Sequence, residues 1–177
     1  MNDKSAKEYI STEEIEKRSI QILRDNKITQ APVDPVKIAS MEGIKVLNAK
    51  FSEDDMSGMI SKNGDELIIL VNYKEYPHRK RFTIAHELGH YFLHLNKDGE
   101  FIDRSYDLFR VEDDIQTNAN KDKLKEVQAN KFAAAILMPR ELINKAIEKT
   151  KDIEELSEMF EVSQSAIGFR VSNLGVL

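Results

Sequence analysis

The chain has no cysteine in its 177 residues. That excludes disulfides, thiol nucleophiles and every thiolate metal site together. A bound metal must then be held by His, Asp or Glu, and only four histidines are present. Positive charge is also short: 26 Lys and Arg stand against 31 Asp and Glu, for a net charge of −5. No global basic field is available to hold nucleic acid or an anionic membrane. Long apolar runs are missing as well. The longest, Phe132 to Met138, is seven residues, against the roughly 20 that cross a bilayer. The N-terminal MNDKSAKEYI has no apolar segment of the signal-peptide kind. The expectation is a soluble cytoplasmic protein.

What is present is enough for a core. Hydrophobic residues make up 41% and charged residues 32%, and a folded chain of this size buries roughly 70% of the surface it exposes when unfolded. The length fits one domain, or one domain with a small appendage.

Local signals outline an α+β chain. Ser11 with Glu14 fits a capping box ahead of a helix whose apolar residues are Ile15, Ile20, Ile22 and Leu23. Asp34 and Pro35 start a short second helix that Gly43 stops. Strand-like stretches follow at Ile44–Phe51, Ser57–Lys62 and Glu66–Asn72, with Asn63-Gly64 as a hairpin turn between the last two. These predict a small antiparallel sheet. A helical period then runs from about His78 to Leu95. Residues 96–122 are polar and aperiodic, a gap long enough to be functional or to hold local structure of its own. A helix from about Lys121 ends at Met138-Pro139, and two or three short helices complete the chain.

The segment that carries chemistry is RFTIAHELGHYFLH, residues 81–94, which contains His86-Glu87-Leu88-Gly89-His90, an H-E-x-x-H motif. On a helix, His86 and His90 lie about 40° apart and ~6 Å along the axis, so both imidazoles can reach one ion. Thr83, His86, Glu87, His90 and His94 share an arc of about 100°. The rest of the helix surface is almost entirely apolar. A solvated face would carry Lys, Asp or Ser; this stripe carries metal-capable side chains and one threonine.

A catalytic zinc keeps three protein ligands and an open position. His94 follows His86 by eight residues, and on a straight helix it lies ~12 Å up the axis, beyond reach of the same ion. It is left with a pocket role or a structural one. His78 precedes the motif and reads as exposed. The first candidate for the third ligand is Glu126 in KEVQANKFAAAILMP, residues 125–139. Asn130, Ala133 and Leu137 fall within about 40° of Glu126 on one helical face. Small residues there would let that helix approach the histidine helix, and Asn130 could orient a ligand. Glu87 lies about 100° round the helix from His86, placed to face a water instead of the metal. Zinc lowers the pKa of a coordinated water toward ~7. A carboxylate can take its proton as it attacks a carbonyl and pass it to a leaving amine. That chemistry is peptide-bond hydrolysis. Candidates for stabilising the oxyanion are His94 and Tyr106.

FTIAHELGHYFLH, followed about 30 residues later by E-x-x-A-N-x-F-A-A-x-I-L-M-P, resembles the ImmA/IrrE family of gluzincin-type metallopeptidases. The Asp34-Pro35 helix start, the Ser57-Gly58 strand, ELIILVN and the basic run into Phe82 fit as well, and the similarity covers about residues 15–177. The tail LSEMFEVSQSAIGFRVSNLG looks like the helix-turn-helix segment of that family. The resemblance implies one Zn2+ per chain held by His86, His90 and Glu126, with Glu87 as general base. Many relatives carry a further acid just before the Ala-Asn pair; here that position is Gln128. It also implies a cytoplasmic regulatory protease that cleaves an Xre-type helix-turn-helix repressor and so relieves repression. The expected architecture is a zincin-like core over residues 1–139 with a helical module at 140–177.

Two other functions compete. One is a zinc-binding anti-repressor that sequesters its repressor without cutting it, although such a protein has no need of a general base at Glu87. The other is a DNA-binding regulator acting through the C-terminal helices. Residues 151–177 carry only Lys151 and Arg170 against Asp152, Glu154, Glu155, Glu158 and Glu161, a poor phosphate surface. The module reads as packing or substrate docking, direct nucleic-acid binding is not expected, and the partner is a protein. An extended substrate is expected to lie against the strand near Ser57–Ile60.

Overall fold

Capping chemistry sets the first helices where the sequence places them. In the computed structural model, which describes residues 9–52, 56–63, 65–94 and 118–177, helix α1 spans Thr12–Asp25. Ser11 caps it by accepting from the Glu14 backbone N–H at 3.2 Å. Glu14 does not complete the box: its carboxylate takes the Arg18 guanidinium instead. The buried stripe of α1 is Ile15, Ser19 and Leu23, with Ser19 Oγ donating to the Ile15 carbonyl; Ile20 and Ile22 are only half-buried. Helix α2 (Pro35–Met41) has Asp34 as its cap, accepting from Val36 N at 2.9 Å and Lys37 N at 3.4 Å. Gly43 follows at φ +72°, where a side chain would be strained. Asp34→Ala is expected to cost about 0.5–2 kcal/mol of stability, read by urea unfolding. An unchanged midpoint would show that the cap contributes nothing.

Strands β1 (Lys45–Ala49), β2 (Gly58–Asn63) and β3 (Glu66–Asn72) form one sheet in the order β1-β3-β2. β2 and β3 pair antiparallel, as expected of a hairpin. β1 and β3 pair parallel, with Lys45 opposite Ile68 and Ala49 opposite Asn72. The sheet is therefore mixed, not antiparallel. The reason is the order. ELIILVN buries Ile69 and Val71 and takes the centre, and a hairpin partner that inserts beside β1 after two chain reversals must run parallel to it. The ladder also continues to Asn63 opposite Glu66. Asn63 thus ends the strand instead of sitting in the turn.

Helix α3 (Pro77–His94) begins on a proline and buries every residue from Thr83 to His90. Helix α4 (Asn118–Leu137) starts inside the stretch that reads as aperiodic and ends before Met138-Pro139. α3 packs on the sheet on one side and on α4 on the other, and α4 packs in turn on α1. Three short helices follow: α5 (Arg140–Ile147), α6 (Ile153–Phe160) and α7 (Gln164–Leu174). Ser163 caps α7 and Gly175 closes it at φ +66°. Glu161, between α6 and α7, takes the left-handed conformation at φ 50° without being glycine.

The buried apolar cluster is continuous. Ile69 and Ile60 of the sheet, Leu88 of α3, Phe132 of α4 and Phe160 and Ile167 of the last helices all belong to it. Two arginines tie distant segments together. Arg81 in α3 donates from Nη2 to the Val33 carbonyl at 2.7 Å and from Nε to the Glu161 carbonyl at 3.1 Å. Arg170 in α7, 7% exposed, donates to the Met138 carbonyl and pairs with Glu16 of α1. No helix among the described residues is long and apolar enough to cross a membrane.

Candidate metal centre

The polar stripe expected on the motif helix lies inside the protein. Thr83, His86, Glu87 and His90 are each 1% exposed. One turn of helix separates His86 from His90, and their Nε2 atoms face each other at 2.9 Å. Glu126 of α4 reaches the same point from the opposite helix. Its Oε2 lies 3.1 Å from His86 Nε2 and its Oε1 3.2 Å from His90 Nε2.

α4 can deliver Glu126 because α3 carries a glycine at the crossing. A Cβ on Gly89 would lie 3.0 Å from both Ala129 Cα and the Ala129 carbonyl oxygen, and 3.2 Å from Phe132 Cβ. Small residues on α4 are expected from the sequence to allow the approach, and Ala133 is buried there; the contact at Gly89 is made by Ala129, which the sequence does not single out. The available signal was the glycine itself, since an interior helical glycine needs a packing reason. The sheet side is equally tight. A Cβ on Gly58 would run into the Thr83 side chain and lie 2.8 Å from the Leu70 carbonyl, so β2 seats directly on α3.

Asn130 sits one helical turn beyond Glu126 and takes His86 Nδ1 at 2.9 Å through its Oδ1. A carboxamide oxygen only accepts, so His86 donates from Nδ1, and in the neutral ring this leaves Nε2 as the nitrogen able to take a metal. Burial pushes the Glu126 carboxyl up, but hydrogen bonding and charge from His86 and His90 outweigh it and hold the group at about 2. The Glu126 carboxylate is ionised at neutral pH.

His86, His90 and Glu126 are a group that could hold a metal ion: their ligand atoms lie within 4.8 Å of one another. The donor set fits a cation. Two imidazole nitrogens and a carboxylate, all lone-pair donors, converge in a buried place, and two imidazoles with a carboxylate is a known zinc set with one position left open. Glu87 is buried beside His86. His94 lies outside this triangle: its ring centroid is 5.7 Å from that of His90, and its Nε2 meets the Lys125 carbonyl at 3.3 Å. His78 is exposed at the start of α3. Tyr106 falls outside the described residues.

Comparison with known proteins points to metallopeptidases. Part of the chain is 35% identical over 103 residues to the radiation response metalloprotease IrrE of Deinococcus radiodurans, covering 56% of this chain and 29% of that protein. It is 27% identical over 141 residues to the metallopeptidase ImmA of Bacillus subtilis, covering 78% of this chain and 75% of that protein. The chain thus spans under a third of the IrrE protein and three quarters of ImmA. A solved structure described as a Mycobacterium tuberculosis transcriptional regulator superposes with a TM-score of 0.65 at 17% identity, over 94% of this chain and 48% of that one, and shares the fold. The peptidase family described as the IrrE N-terminal-like domain matches residues 39–172, from the end of α2 to α7, and to that family this chain belongs.

Proposed function

We propose that this chain is a zinc-dependent endopeptidase of the cytoplasm that makes a specific cut in an Xre-type helix-turn-helix repressor and so relieves repression. The observation that carries this reading is the convergence of His86 Nε2, His90 Nε2 and the Glu126 carboxylate beside the buried Glu87. His86, His90 and Glu126 hold the zinc. When bound, zinc supplies the Lewis acidity that brings a water to a pKa of ~7 and polarises a carbonyl.

The protein groups divide the remaining work. Asn130 fixes the tautomer and ring orientation of His86. Glu87 takes the proton of the attacking water and returns it to the departing amine nitrogen, so that one carboxylate serves both steps. β2 forms one edge of the sheet and abuts α3 at Gly58 and Thr83. An extended substrate pairing with that edge lies along the motif helix.

Residues 140–177 serve as a packing or docking element. The one arginine of α6 and α7 is committed to Glu16 and the Met138 carbonyl, which favours this role over phosphate binding. The reading is tested with purified protein and an Xre-type repressor encoded nearby. One zinc per chain is expected, with a single cut that a chelator stops and zinc restores. A repressor left intact by zinc-loaded protein would rule out the substrate. A chain that retains no zinc would rule out the metallopeptidase.

A further inference from the structure

The two helices that carry the candidate metal group are tied by polar contacts on both sides of Glu126. On one side, His86 Nδ1 meets Asn130 Oδ1. On the other, His94 Nε2 meets the carbonyl of Lys125, the residue immediately before Glu126. Between them lies the Gly89–Ala129 contact, where the helices touch with no side chain on the α3 side. α3 and α4 run antiparallel, so these ties follow in order along the crossing: Asn130 with His86, Ala129 with Gly89, Glu126 with both histidines, Lys125 with His94.

A carbonyl oxygen is only an acceptor, so His94 Nε2 carries the proton and donates. That nitrogen therefore has no lone pair for a metal, and His94 is not in the group of possible ligands. Its ring also stands 5.7 Å from that of His90. It touches the turn that carries one candidate ligand and the ring of another.

We infer that His94 is a positioning residue: its donation to the Lys125 carbonyl fixes the turn of α4 that presents Glu126 to the metal. The Gly89–Ala129 packing sets the helix separation, and Asn130 holds α4 by a directional bond on one side of Glu126 only. The His94 bond supplies a directional contact on the other side, at the residue next to Glu126. This rests on the metal reading given above and deepens it.

Two variants separate the hydrogen bond from the ring. His94→Phe keeps an aromatic ring beside His90 and loses the donor. His94→Gln loses the ring but places an N–H donor near the position of Nε2. Loss of a group that orients a ligand commonly weakens metal binding about 10–100-fold. His94→Phe is expected to show that loss in zinc competition with a chelator. Its Co2+-loaded form should show an altered visible absorption, because the carboxylate is no longer held. His94→Gln is expected to restore both, to within about threefold in affinity (about 0.6 kcal/mol). A purely structural role would lower the melting temperature of the metal-free protein in both variants and leave the Co2+ spectrum of the loaded protein unchanged. Wild-type affinity and spectrum in His94→Phe, or equal losses in the two variants, would overturn the inference while the metal reading stands. A wild-type chain that binds neither Zn2+ nor Co2+ would overturn both.

Discussion

Glu87→Gln is expected to slow cleavage of the substrate by about 10²–10⁴-fold, the usual contribution of a positioned general base. The substitution is nearly isosteric, so the buried position on α3 stays filled and the fold is retained. Neither the two histidines nor Glu126 is altered, and zinc content is expected to remain at one per chain. What is lost is the proton acceptor. An amide can hydrogen-bond a water but cannot take its proton near neutral pH, so the loss falls on turnover and not on metal binding. The measurement pairs a cleavage time course with the metal content of the same preparation. An unchanged rate would show that another group serves as base. Continued release of repression by this variant in cells would favour an anti-repressor that binds without cutting.

The largest effect on the scaffold is expected from Gly89→Val. A first added carbon already lies 3.0 Å from backbone atoms of Ala129, and valine adds two more. Backbone cannot rotate away as a side-chain tip can, so α4 must move outward. Overpacking of this kind typically costs about 1–3 kcal/mol. For a chain of this size that lowers the melting temperature by several degrees, at ~2–4 °C per kcal/mol. The displacement carries Glu126 away from His86 and His90, and zinc affinity is expected to fall in the same variant. Gly89→Ala gives a graded control. Alanine loses less backbone entropy than glycine on entering a helix, worth ~1 kcal/mol, which offsets part of the clash, so its melting temperature changes less than that of the valine variant. Wild-type melting and zinc affinity in Gly89→Val would show that the helices are not in the contact described.

Much of this was legible locally. Ser11, Asp34 and Ser163 cap the helices that follow them, because a short polar side chain can satisfy an orphan N–H wherever it precedes a helix. The four-residue spacings of His86 with His90 and of Glu126 with Asn130 fix a common face for each pair by helix geometry alone. What the sequence did not disclose depends on distance. The direction of β1 follows from which strand occupies the centre of the sheet, a result of packing over the whole core. The contact of Gly89 with Ala129 depends on the angle and depth at which two helices cross. Arg170 enters the sequence reading only as one of two basic residues in an acidic segment, yet it is buried against Glu16 and the Met138 carbonyl. No local pattern announces a partner 154 residues away.

The ties around α3 are of that long-range kind. His86 reaches Asn130 across 44 residues, and Arg81 reaches the Glu161 carbonyl across 80. Bringing such segments together costs chain entropy before any contact repays it, and this slows folding and makes it cooperative. The H-E-x-x-H motif occupies five consecutive residues, but the geometry that makes it a site belongs to the whole chain. A nascent or partly unfolded chain already carries the motif; the ligand group forms only when Glu126 and Asn130 of α4 have packed against α3.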